Sequence, residues 1–204
     1  GELAARVASV GRPDEALLCL EARAEMVETP TFPEPGDAAD AWRDLAICTW
    51  DLAGPERALP LAERAIAWRR RAAPGGDQDL VSLLGLAASA MEQLGRAEEA
   101  LARREEGLAI QRRRSTADSL ELAGQLNMVG LSRMNLGRAE AALPLLEESL
   151  AMEERLRPET GTPLRVAIAK SNLGQCLSDL GRAAEAPPLF VDAAAAEPDF
   201  GPDH

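Results

Sequence analysis

The sequence predicts an all-α protein assembled as an array of helical hairpins, and three observations carry that expectation. A short segment recurs five times, as VGRPDEAL (10 to 17), AGPERAL (53 to 59), LGRAEEAL (94 to 101), LGRAEAAL (136 to 143) and LGRAAEAP (180 to 187). Its shared alanine falls at Ala16, Ala58, Ala100, Ala142 and Ala186, in steps of 42, 42, 42 and 44 residues. A period of this size marks stacked units, each too small to bury its apolar face alone. Within each period, apolar residues recur at i, i+3, i+4 and i+7, the spacing of one helix face. The apolar 46% of the chain is mostly Ala and Leu, with 3 Trp, 3 Phe and no Tyr, a mix that favours helices over strands.

Taken in order, the first unit (about 1–36) is expected to hold helices at 2–10 and 13–27 and lacks the front of its first helix. The second (37–76) has helices at 38–52 and 55–72, joined by a turn one residue short at Gly54-Pro55. The third (77–117) opens after Pro74-Gly75-Gly76-Asp77, with helices at 78–94 and 97–114. The fourth (118–162) opens after Ser115-Thr116-Ala117-Asp118, with helices at 118–136 and 139–156. The fifth (163–204) starts at Thr162-Pro163, an N-cap oxygen before a proline suited to the first helical position, with helices at 163–180 and 183–196. The two extra residues of the last step fit most simply into a loop from Arg157 to Pro163. Leu126, Val129 and Gly130 form an inward stripe on one helix of the fourth unit, and Ala142, Leu143, Leu146 and Leu150 form one on the other. Small residues recur on the first helices at Ala46, Ala88, Gly130 and Gly174, opposite the signature alanines. A helical glycine costs about 0.5–1 kcal/mol relative to alanine, and close backbone packing is the expected compensation.

Trp42-Arg43-Asp44-Leu45-Ala46, Asn172-Leu173-Gly174 and Leu180-Gly181-Arg182-Ala183-Ala184-Glu185-Ala186 resemble the tetratricopeptide repeat (TPR) signature. The 42-residue period, with Pro60, Pro144 and Pro188 each two residues after the signature alanine, is similar to the long-helix variety found in kinesin light chain and in bacterial regulators. Phe200 to His204 resembles its inter-repeat linker. The resemblance covers nearly the whole chain and implies a right-handed superhelical solenoid of about five units, a single array over 1–204, with the first unit truncated. HEAT repeats share the period but lack the L-G…G…A pattern. The chain opens partway through a helix and stops where another repeat would begin, so further repeats or domains are expected beyond both ends.

The composition also narrows the chemistry. His204 is the only histidine and the last residue, which leaves no Ser-His-Asp, Cys-His or ordinary His-based metal site, so neither enzyme nor cofactor chemistry is expected. Cys19, Cys48 and Cys176 are widely spaced, with neither a CxxC pair nor a secreted framework, and are read as core thiols in a reducing, cytoplasmic setting. A net charge of −12 disfavours nucleic acid and anionic membranes as partners, and no apolar run is long enough to span a bilayer. One lysine against 21 arginines, with abundant Ala and Gly, suggests a GC-rich bacterial gene. Arg69-Arg70-Arg71 and Arg112-Arg113-Arg114 end second helices, where cations complement the helix dipole.

Function is therefore expected on a surface. Solenoids of this kind bind through the groove lined by the first helix of each pair. With Leu126, Val129 and Gly130 inward, the neighbouring stripe is Asn127, Leu131 and Met134; its equivalents are Arg43, Ile47 and Trp50, then Gly85, Ser89 and Glu92, then Ser171, Gln175 and Ser178, with Asn172 beside them. Amides suit an extended peptide backbone, and Trp50, Leu131 and Met134 offer apolar anchorage. Taken one at a time, Leu131 and Met134 read more readily as core than as groove, because apolar residues at helical spacing usually are. With Arg43 the one basic residue on these stripes, a clamp for a C-terminal carboxylate is not expected. The functional expectation is a non-catalytic module that binds a protein or peptide. The alternative is a sensor or scaffold arm that regulates a linked effector such as a nucleotide-binding switch, a protease or a transcription regulator.

Overall fold

The computed structural model describes residues 18, 21, 22, 34–115, 117–160 and 163–195, with side chains described outside 157–160 and 193–195. Eight helices are delimited among these residues: α1 Pro35–Ala53, α2 Pro55–Ala72, α3 Gln78–Gln93, α4 Ala97–Arg114, α5 Leu120–Asn135, α6 Ala139–Thr160, α7 Pro163–Asp179 and α8 Ala186–Ala195. No strand occurs among the described residues. Residues 18, 21 and 22 are helical; the rest of the helices expected at 2–10 and 13–27 lies outside the described residues. The chain divides into two compact units, Gly1–Ile110 and Gln111–His204.

Each recurring Gly ends a first helix in the same way. Gly95, Gly137 and Gly181 have φ of 73°, 70° and 74°, the left-handed region that a side chain disfavours. The following Arg96, Arg138 and Arg182 donate their N–H to the carbonyls of Met91, Arg133 and Leu177 at 2.8, 2.9 and 2.8 Å. This six-to-one bond closes the helix end and turns the chain back on itself. In the shorter turn, Gly54 both caps α1 and precedes α2, whose first residue is Pro55. Asp77 caps α3 by accepting from Leu80 N at 2.9 Å, and Ser119 caps α5 by accepting from Leu122 N at 3.1 Å.

Four boundaries differ from expectation by two residues or more. Helix α1 begins at Pro35 rather than 38, since a proline is well placed at a first helical position. Helix α5 begins at Leu120 rather than 118 because Ser119 takes the cap. The loop expected from Arg157 is instead helical through Thr160. Helix α8 begins at Ala186 rather than 183. Pro187, which replaces the Leu59, Leu101 and Leu143 of the equivalent helices, has no N–H to donate to the carbonyl of residue 183, so their first turn does not form here.

Two cores hold the units together. In the first, Trp42, Leu45, Ile66, Leu80, Leu83, Leu84 and Met91 pack with a set of alanines that includes Ala46, Ala62 and Ala88. In the second, Leu146, Leu150, Val166, Leu173, Cys176 and Leu177 surround Ala142, which is fully buried. Burying a side chain of Leu or Val size contributes about 1.5–3 kcal/mol.

The helical glycines are compensated differently from the expectation of backbone approach. A Cβ on Gly130 would lie 2.7 Å from Leu146 Cδ2, and one on Gly174 would lie 2.9 Å from the Phe190 ring. The space is filled by a large side chain four residues after the signature alanine. Where the first helix carries Ala46, the corresponding second-helix residue is the small Ala62, a trade of sizes that the third repeat, with Ala88 and Arg104 at these positions, does not follow.

Candidate functional site

In the second unit, α5 and α7 lie side by side with α6 beneath them. Their common face combines apolar side chains with amides. Met128 is 37% exposed, Leu164 50% and Ile168 48%. Asn172 Nδ2 donates to Asn127 Oδ1 at 2.9 Å, tying α7 to α5 across 45 residues of sequence. Asn127 is only 7% exposed. Among the described residues its own Nδ2 has no acceptor.

Beside this pair lies a hollow of about 180 Å³, lined by Gly124, Asn127, Met128, Ser149, Glu153, Arg165, Ile168 and Ala169. Its floor is held by polar contacts that leave no buried charge unmatched. Ser149 Oγ donates to Ala123 O at 2.8 Å, and the buried Glu153 carboxylate accepts from Arg165 Nε at 2.9 and 3.0 Å and from Nη2 at 2.6 Å. Arg165 Nη2 also donates to Leu120 O at 3.0 Å. The hydrogen bonds to Glu153 raise the Arg165 pKa above its usual value, so the guanidinium stays charged. Its Nη1 has no acceptor among the described residues.

The residues singled out from sequence divide into three groups. Asn127 and Asn172 are brought together as described. Met134 packs against the second core, and Trp50 packs half-buried against the first, so both serve the interior more than a groove. Leu131 is half-buried; Ser171 and Gln175 are exposed, Gln175 donating to Asp179 at 2.8 Å. In the first unit, Ile47 is 44% exposed, Arg43 is held by Asp40 at 2.7 Å and Asp44 at 3.4 Å, and Ser89 accepts from Arg104 at 3.4 Å. The first unit also has a hollow beside Trp42, Leu45, Thr49 and Leu61, where the Arg64 guanidinium stacks 4.5 Å from the Trp42 ring.

Sequence reasoning missed Gly124, Met128, Leu164, Arg165 and Ile168. The signal was the offset: by the repeat step of 44, Asn172 is equivalent to Met128, and Ile168 to Gly124, so the outward stripe runs through 124, 128 and 131 rather than through 127. Arg165 is a basic residue outside the expected stripes, on which Arg43 was the one basic member.

The thiols follow their burial. Cys176 is buried and its Sγ lies 3.4 Å from Ala139 O; Cys48 is half-buried against the first core, and Cys19 is outside the described residues. Burial raises the pKa of both described thiols, with nearby carboxylates adding to the effect. Among the described residues, no group of three or more His, Cys, Asp or Glu side chains is arranged to hold a metal ion. No helix there is long and apolar enough to cross a membrane.

No protein-family model matches the chain, and no curated protein matches it. Solved structures do. A kinesin light chain-type protein of Podosopora anserina with nearly identical TPR-like repeats is 21% identical, with a TM-score of 0.79 over 96% of this chain and 91% of that one. BtubC (BKLC) from P. vanneervenii is 18% identical, with a TM-score of 0.85 over 99% of this chain and 81% of its own. MamA protein is 14% identical, with a TM-score of 0.66 over 96% and 88%. The turns, the paired helices and these likenesses together identify the fold as a TPR-like helical repeat, as the resemblance of its motifs implies.

Proposed function

We propose that this chain is a non-catalytic interaction module that binds a peptide or protein segment along the faces presented by the first helices of its hairpins. One observation carries the reading. The α5–α7 face exposes Met128, Leu164 and Ile168 around an amide pair in which Asn127 keeps an unused donor. Exposed apolar side chains clustered with amide groups suit a segment that buries a side chain and offers its backbone for hydrogen bonding. The TPR-like fold of the neighbours supports this role, since such repeats serve as scaffolds for protein partners.

The test is a peptide-display selection against the immobilised chain, followed by titration of the synthesised peptides. Asn127→Ala combined with Asn172→Ala removes both ends of one hydrogen bond and so leaves neither amide orphaned. Selected peptides should lose affinity by about tenfold, the worth of one or two hydrogen bonds. Unchanged affinity in the folded double variant would move the binding surface off α5 and α7.

A further inference from the structure

The hollow between α5, α6 and α7 has a size and a donor set that specify its occupant more closely than the proposal above. We infer that it takes one apolar side chain of leucine to phenylalanine size from an extended segment, whose neighbouring backbone carbonyls accept from Asn127 Nδ2 and Arg165 Nη1. This rests on the reading that the α5–α7 face binds a protein segment.

Size comes first. An apolar cavity of about 150 Å³ holds a benzene-sized group, and small-molecule and cofactor sites span about 300–1,000 Å³. At about 180 Å³, the hollow matches a single side chain and is too small for a cofactor. Its apolar wall is Met128, Ile168 and Ala169, and it is open at Gly124, where an added Cβ would meet only Arg165 Nη2 at 3.8 Å.

The polar groups set the second requirement. Asn127 is more than nine-tenths buried, lines the hollow and has an amide nitrogen without an acceptor among the described residues. That nitrogen is not sealed from solvent, so a ligand carbonyl takes the place of water at it. Arg165 offers a second donor at Nη1. Both unused groups are donors, which selects for acceptors such as the carbonyls of an extended backbone.

Charge sets the third. Glu153 is 5% exposed and takes two nitrogens of Arg165, so the guanidinium is already matched. The site therefore needs no acidic residue in its ligand, and binding should depend little on salt.

The experiment is a methyl-NMR titration of the intact chain, following the Met128 and Ile168 methyl signals. N-acetyl-leucine methylamide supplies one side chain and two carbonyls; N-acetyl-glycine methylamide lacks the side chain. The leucine probe should shift both methyls saturably in the millimolar range, and the glycine probe should bind about tenfold more weakly, the discrimination expected from burying one such side chain. Gly124→Leu fills the hollow from a position with room for its Cβ and should abolish the shifts, while Ile168→Ala should weaken the shift of the Met128 methyl. Sodium chloride at 1 M should change the affinity by less than about twofold. Equal shifts with both probes, shifts that survive Gly124→Leu, or unmoved methyls would each overturn the inference. Display-selected peptides that depend on Asn127 and Asn172 yet ignore Gly124→Leu would overturn the side-chain subsite alone. Selected peptides insensitive to all of these variants would overturn the wider reading as well.

Discussion

Gly130→Ala turns the size trade-off inside the second unit into a measurable energy. The new Cβ would stand 2.7 Å from Leu146 Cδ2 and 2.8 Å from Cγ, where carbon pairs ordinarily rest about 3.5–4.0 Å apart. Leu146 is 1% exposed and has no open side to move toward. Overpacking of this kind costs about 1–3 kcal/mol, and the gain from replacing a helical glycine returns about 0.5–1 kcal/mol. The net is a loss of up to about 2.5 kcal/mol, and about 1 kcal/mol in the middle of the range. Urea unfolding followed by circular dichroism measures it as a lower midpoint at constant slope. Two glycines serve as controls. Gly124→Ala meets nothing nearer than Arg165 Nη2 at 3.8 Å, and Gly85→Ala meets nothing within 4 Å, so each should stabilise by about 0.5–1 kcal/mol. Leu146→Ala alone should cost about 2–5 kcal/mol, and combining it with Gly130→Ala should cost less than the sum, because the clash disappears with the larger side chain. A Gly130→Ala protein as stable as the Gly124→Ala control, or an additive double variant, would refute the packing argument.

Other outcomes follow from single contacts. Ala142→Leu, at a fully buried position, should overpack the second core by about 1–3 kcal/mol and lower the midpoint of thermal unfolding. Lys170→Met should destabilise by about 0.2–1 kcal/mol, because it frees Asp192, 2.8 Å from the ammonium, and Glu154, 3.5 Å away; the difference from the parent should shrink in 1 M salt. Asp118 and Glu185 have pKa values lowered by hydrogen bonds from Arg155 and Arg182, so their stabilisation is present above the ordinary carboxylate range and fades as pH falls through the lowered values. Asp118→Asn with Glu185→Gln should flatten that acid limb in a pH series of urea midpoints. Burial raises the Cys176 pKa, so its contribution is present below the unfolded-state thiol value and declines as pH rises toward the folded one. Thiol labelling at pH 8.5 should accordingly modify Cys176 only on unfolding, and fast labelling of the native chain would contradict its burial.

Much of the architecture is written in local chemistry. The turn glycines 95, 137 and 181 stop helices by a preference that needs no tertiary partner, and Asp77 caps α3 through an oxygen already adjacent in the chain. Some departures were also local: Pro187 delays α8 simply because it cannot donate. The ion pairs between second helices show where this legibility ends. Arg70 reaches Glu106 and Arg112 reaches Glu148, each across 36 residues. At the next equivalent positions stand Glu154 and Asp192, two acids that repetition alone would set in repulsion. The structure brings in Lys170, the chain's only lysine, from α7 to lie between them.

The candidate face shows the same boundary. One residue along a helix is a rotation of about 100°, so an error of one position in deciding which stripe looks outward exchanges a groove residue for a core residue. Periodicity could establish that α5 and α7 are amphipathic; only the packing of each against α6 set their rotation. That rotation buried Asn127, exposed Met128 and Ile168, and carried Arg165 to the buried Glu153. Repeat length, hairpin turns and helix content follow from interactions a few residues apart, which the order of amino acids states directly. The amide bridge, the filled glycines and the hollow join residues 12 to 45 apart, and their positions follow from how side-chain volumes settle between helices.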